Sequence, residues 1–161
     1  MRRRTVPLLV AVVGLLAGLV QATAPDAEPI PVELKAFKFK VPADQASLFG
    51  HNEDEGKLFF YTNGPAEAVV KVPADGDYEV VVKASCEAAQ NERAKFKVSI
   101  DGEAVGKETL LTADDAKEYA VPAKLKAGER KLVVEFTNDV YKENEFDRNL
   151  FVHAVLVKRA K

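Results

Sequence analysis

The chain has 161 residues and no tryptophan, with 23 Lys+Arg against 25 Asp+Glu and a formal charge of −2. An acidic balance without a run of basic residues and interleaved aromatics argues against nucleic acid as a partner, because little counterion release is to be gained on phosphates. Cys86 is the single cysteine, so no intramolecular disulfide can form and the core must hold by packing alone.

Residues 1–24 read as a secretory signal: Arg2, Arg3 and Arg4 precede an apolar stretch from Val6 to Val20, and Ala22-Thr23-Ala24 fits a small-x-small cleavage site. A retained anchor is the competing reading, but the stretch includes Gly14 and Gly18 and is shorter than the roughly 20 residues a span needs. Cleavage lowers the basic count from 23 to 20 against 25 acids, a formal charge of −5. The expected product is secreted or periplasmic, with no membrane attachment after signal cleavage. Residues 25–31, rich in proline and acids, read as a linker, and residues 32–161 as one domain.

Within that domain nearly every periodic segment has the two-residue repeat of a half-buried strand. Val32 to Phe39 and Leu58 to Tyr61 are weak strand signals, followed by Val69 to Val72 and Tyr78 to Cys86. His51-Asn52-Glu53-Asp54-Glu55-Gly56 reads as a hydrated turn. Cys86 falls in phase with Tyr78, Val80, Val82 and Ala84 and is expected to be a small buried residue. Glu87 to Arg93 joins two strands and reads as an ordinary connector, a place beside the acidic loop between the last two strands being the alternative. Lys95 to Ile100 alternates charged or polar with apolar residues and runs into Asp101-Gly102, a hairpin signal because both central positions favour positive φ. Ala113 to Glu118 reads as a single helical turn, and Tyr119 to Leu125, Leu132 to Phe136 and Leu150 to Val157 as further strands. Short strands with regular turn punctuation, Asn63-Gly64-Pro65 among the turns, predict an all-β fold, a two-sheet antiparallel β-sandwich of jelly-roll type, with a closed barrel as the alternative. His153 is assigned to the polar, exposed phase of the last strand, and the many outward lysines to solvation and edge protection.

The loop between the last two strands, Asp139 to Asp147, carries four carboxylates in nine residues, with Glu143 and Glu145 between the two aspartates. Two acids held about 4 Å apart repel by roughly 4 kcal/mol at an effective dielectric of 20, so their convergence calls for a proton, an arginine or a metal ion. Calcium, which prefers carboxylate and carbonyl oxygens, suits such a loop; an acid-rich solvated hairpin is the alternative. No nucleophile elbow, Walker loop or zinc motif is present, and His51 and His153 lack metal-ligand spacing, so no catalysis is expected.

Phe136-Thr137-Asn138-Asp139, a short polar loop, Asp147-Arg148-Asn149-Leu150 and an apolar final strand resemble the signature of calcium-dependent, xylan-binding carbohydrate-binding modules. Gly76-Asp77-Tyr78, Val98-Ser99-Ile100-Asp101-Gly102 and Ala127-Gly128 extend the resemblance over roughly residues 56–158. It implies a non-catalytic β-sandwich in which a loop-bound calcium meets vicinal hydroxyls of a polysaccharide. Carried to the matching positions, it implies Asp139, Asp147 and the Phe146 carbonyl as metal ligands. Asn138, Arg148 and Asn149 would then shape the loop or touch the sugar. An extracellular interaction domain whose calcium only stiffens the loop, with a protein partner at the cell surface, is the alternative.

Overall fold

A computed structural model describes residues 28–161; the expected leader and residues 25–27 of the expected linker lie outside the described residues. In chain order the strands are β1 (Ile30–Val32), β2 (Lys38–Phe39), β3 (Phe49–Asn52), β4 (Lys57–Phe60), β5 (Gly64–Val72), β6 (Gly76–Glu87) and β7 (Lys95–Ile100). They continue as β8 (Glu103–Leu110), β9 (Lys117–Leu125), β10 (Gly128–Phe136), β11 (Tyr141–Lys142), β12 (Phe146–Asp147) and β13 (Asn149–Arg159). One sheet runs β3-β4-β13-β6-β9 with β1 also on β13; the other runs β2-β5-β10-β7-β8, and β11 pairs with β12 alone. The expected antiparallel sandwich of jelly-roll type is therefore the fold. Among the described residues no helix is long and apolar enough to cross a membrane.

Alternation produces the core. Tyr78, Val80, Val82, Ala84 and Cys86 of β6 point inward and meet Phe96 and Val98 of β7 and Leu132, Val134 and Phe136 of β10, all buried in one cluster. Fully burying a valine, leucine or phenylalanine side chain contributes about 1.5–3 kcal/mol, enough in aggregate to hold a domain without a disulfide. Cys86 is buried as expected, and that burial pushes its thiol pKa up, which suppresses the reactive thiolate. Asp101 and Gly102 adopt φ of 52° and 90°, the paired positive values of the anticipated two-residue turn. Pro122 sits on β9, an edge strand, where a missing backbone N–H is tolerated.

Four local expectations are corrected. Ile30 and Pro31, assigned to the linker, pair with Val157 and Leu156, so the sandwich begins before Val32. Ala113 to Glu118 forms no helical turn: its bend is held instead by Cys86 N donating to the Asp114 carbonyl and by Arg93 Nε donating to the Asp114 carboxylate at 2.8 Å. Asn63-Gly64-Pro65 is not wholly a turn, because β5 starts at Gly64; a Cβ there would lie 2.7 Å from the Phe49 ring, so glycine permits that close packing. His153 keeps to the outward phase opposite Val152 but is half-buried rather than exposed, because it packs there against Ser85, whose Oγ lies 2.7 Å from its Nε2.

Candidate functional site

β10 ends at Phe136, and the chain then loops over one end of the sandwich before returning as β13. Within the loop, β11 and β12 form a small hairpin in which Tyr141 faces Asp147 and Lys142 faces Phe146. Asn144 has φ of 60° at its tip, and Arg148 N donates to the Val140 carbonyl at its base. Folding the loop back in this way carries Asp147 toward Asp139, despite the intervening seven residues. The Asp139 backbone is itself pinned, its N–H donating to Asn63 Oδ1 at 2.7 Å.

Asp139 and Asp147 line one cleft of about 490 Å³, whose other walls are Leu48, Tyr61, Thr62 and Tyr141. Oδ1 of each aspartate is buried without a hydrogen-bond partner. Burial raises the Asp139 pKa above the usual carboxylate value; the Thr62 hydroxyl pulls it down, and the negative charge of Asp147 pushes it up again. Two partly desolvated carboxylates with unused lone pairs are what a hard divalent cation relieves. Among the described residues no group of three or more His, Cys, Asp or Glu side chains gathers as a metal cage, so any further donors must be carbonyl, amide, water or ligand oxygens.

Arg148 and Asn149 are 4% and 3% exposed, which removes both from direct contact with a ligand in solvent. Arg148 instead clamps the scaffold: Nε donates to the Glu92 carbonyl at 3.0 Å, Nη2 to the Ala89 carbonyl at 2.6 Å and Nη1 to the Asn138 carbonyl. The segment after β6 is shaped to receive it, since Gln90 and Asn91 both have positive φ and Ala89 and Glu92 bridge across that turn. Asn138 completes the brace by donating Nδ2 to the Arg93 carbonyl at 2.9 Å and accepting from Lys95 N. Asn149 Nδ2 lies 2.6 Å from Glu87 Oε2 and 2.9 Å from Asp147 Oδ2, which occupies one oxygen of Asp147 and leaves the other unpartnered. Its own Oδ1 is also buried without a partner.

Phe146, half-buried in β12 beside Asp147, is not among the residues lining the cleft. Lys142 and Glu145 pair with each other at the exposed end of the hairpin, and with Glu143 they stay outside the cleft lining. The acidic turn after β3 is an exposed reversal in which Glu55 N donates to Asn52 Oδ1 at 3.1 Å. Sequence reasoning missed the opposite wall, Leu48, Tyr61 and Thr62. The available signal was Tyr61, an aromatic residue on the outward phase of β4, two places after outward Phe59.

The family model for Ca-dependent carbohydrate-binding module, xylan-binding (CBM60), matches residues 79–161, a segment that contains both aspartates. No curated protein sequence matches the chain. Among solved structures, a family 35 carbohydrate-binding module from Clostridium thermocellum is similar, with a TM-score of 0.55 and 16% identity, covering 83% of this chain and 100% of that one. The CBM36-1 domain of a multidomain xylanase from the hindgut metagenome of Trinervitermes trinervoides gives a TM-score of 0.57 at 13% identity, covering 83% of this chain and 98% of that domain. The mannan-binding module from Man5C in bound conformation gives 0.54 at 14% identity, covering 81% and 98%. At these identities the structural likeness speaks for the fold alone.

Proposed function

The chain belongs to CBM60, the Ca-dependent, xylan-binding carbohydrate-binding modules, and on that premise we propose that it is a non-catalytic module holding a xylan-like polysaccharide through calcium at Asp139 and Asp147. The observation that carries this reading is that Asp139 and Asp147 line one cleft and that Oδ1 of each is buried without a hydrogen-bond partner. A buried polar atom without a partner costs about 1–3 kcal/mol, and more when charged, so two together favour capture of a cation.

The donor set fits calcium better than a softer metal. Calcium accepts six to eight oxygens at about 2.3–2.6 Å in irregular geometry, whereas zinc and copper sites draw on thiolate and imidazole, and neither Cys86 nor His51 nor His153 lines the cleft. Asp139 and Asp147 supply the carboxylates, and because Phe146 does not line the cleft, water and ligand oxygens complete the shell in this reading. When bound, calcium offers coordination positions at which two adjacent sugar hydroxyls can replace water. Asn149 fixes the second oxygen of Asp147, Arg148 and Asn138 keep the loop from splaying, and Tyr61 and Tyr141 wall the space above the carboxylates. The leader reading of residues 1–24 places this work outside the cytoplasm, with the polysaccharide as partner.

Calorimetric titration of xylo-oligosaccharides into the wild type and Asp139→Ala, first with calcium and then with chelator, tests the proposal. Calcium must reach about 0.1–1 mM, where extracellular sites of this kind fill. Binding to the wild type that vanishes with chelator, and is absent in the variant, is expected. Sugar binding that survives chelation sinks the mechanism. A calcium-dependent rise in Tm without any sugar binding assigns the ion a purely structural task.

A further inference from the structure

The outward face of the larger sheet carries a strip of side chains that the core does not use and that meets the carboxylate cleft only at Tyr61. Alternation along β4 sends Leu58 and Phe60 inward and leaves Lys57, Phe59 and then Tyr61 on the other side. Register places Phe59 opposite Phe151 of β13, and Phe151 opposite Ser85 of β6. The Phe59 and Tyr61 rings lie 4.8 Å apart at 32°, and Tyr61 meets Phe151 at 6.3 Å and 83°. Gly50 makes room for this layout, since a Cβ there would come within 2.6 Å of the Phe59 ring.

Aromatic cross-strand pairs stabilise any sheet, so their presence alone indicates no ligand. Two further observations do. The strip is continuous with the cleft, because Tyr61 belongs to both and is 41% exposed. Polar groups also flank the rings: Ser85 Oγ and His153 Nε2 stand 2.7 Å apart beside Phe151, and Lys57 Nζ lies 4.2 Å from the centroid of the Phe151 ring. A pyranose has this same division, with apolar C–H faces and a rim of hydroxyls, and an aromatic surface with polar neighbours complements it. From Tyr61 to Lys57 the strand advances about 13 Å, room for more than one sugar ring.

We propose that this strip continues the polysaccharide path, with sugar rings beyond the one at Asp139 and Asp147 lying along Tyr61, Phe59 and Phe151 and their hydroxyls turned toward Ser85, His153 and Lys57. The inference rests on the calcium-site reading and adds a length requirement to it: the module reads an internal stretch of chain and not only a terminal unit.

The test compares xylobiose with xylohexaose on the full chain at saturating calcium. The wild type should bind the hexasaccharide more tightly, and Phe59→Ala should lose about tenfold of that affinity while calcium affinity and disaccharide binding hold. Should Phe59→Ala fold poorly, Ser85→Ala combined with Lys57→Ala, both away from the core, should weaken hexasaccharide binding selectively by about threefold. Equal affinity of the wild type for the two lengths overturns the strip while leaving the calcium site intact. An equal loss for both lengths in folded Phe59→Ala overturns it too. Self-association of the wild type that Phe59→Ala abolishes would assign the strip to a second copy of the chain and overturn the glycan path. Absence of any calcium-dependent sugar binding overturns the parent reading first.

Discussion

Replacing Arg148 by methionine keeps most of its volume and removes all of its donors. The side chain is 4% exposed and its three hydrogen bonds reach the carbonyls of Ala89, Glu92 and Asn138, so the change detaches the segment after β6 and the entry to the acidic loop from β13 at once. Hydrogen bonds to a charged group contribute about 1.5–3 kcal/mol each, a gross figure of roughly 5–9 kcal/mol for three. The Glu92 side chain is 41% exposed, which shows that water reaches this edge and can rehydrate part of what is orphaned. A net loss of about 3 kcal/mol for Arg148→Met is therefore expected, in line with removing one member of a buried charged network. Arg148→Lys retains the charge but not the planar fork, and should lose about 1–2 kcal/mol. Urea unfolding followed by far-UV circular dichroism reads both, since the chain has no tryptophan to report by fluorescence. Calcium titration of the same variants should show weaker binding in the same order. Arg148→Met within about 0.5 kcal/mol of the wild type, with calcium affinity unchanged, would refute the claim that this guanidinium holds the loop.

Two other outcomes follow from the electrostatics. Asp139→Asn removes one of two converging carboxylates; in chelator it should stabilise the fold by about 0.5–1 kcal/mol once screening is allowed for, and it should erase the calcium-dependent rise in Tm, as thermal melts with and without the ion will read. His153 has its pKa lowered from 6.5, chiefly by burial and then by Lys57 and Lys83, with Glu55 opposing. The unfolded chain thus binds more protons than the native one as this histidine titrates, so its contribution is complete above pH 6.5 and is lost as pH falls toward the folded value. Melts between neutral and mildly acidic pH should show that loss in the wild type and a shallower slope in His153→Gln.

What the sequence makes legible here is what alternation and turn chemistry encode locally. The inward phase of Tyr78 to Cys86 and the positive φ of Asp101 and Gly102 are written within a few residues each, and the sandwich follows from repeating such signals. Asp139 and Asp147 stand out because their loop concentrates charge, and the small β11–β12 hairpin brings them to one cleft. Long-range features were hidden. Tyr61 and Thr62 reach the cleft from about 80 residues upstream, through sheet pairing that no local pattern announces. The half-burial of His153 escaped because the groups that cover it, Ser85 and Lys57, come from other strands. Arg148 has the composition of a surface residue, and its inward course becomes visible only when the backbone carbonyls of Ala89, Glu92 and Asn138 are seen converging on it.

The most direct measurement is a crystal structure grown with calcium and a xylo-oligosaccharide, with the ion identified by its anomalous signal. The account predicts a cation within about 2.3–2.6 Å of oxygens from both Asp139 and Asp147, its outer positions taken by two adjacent sugar hydroxyls. Carboxylates turned apart into solvent, or a coordination shell closed entirely by protein oxygens with the sugar elsewhere, would contradict it.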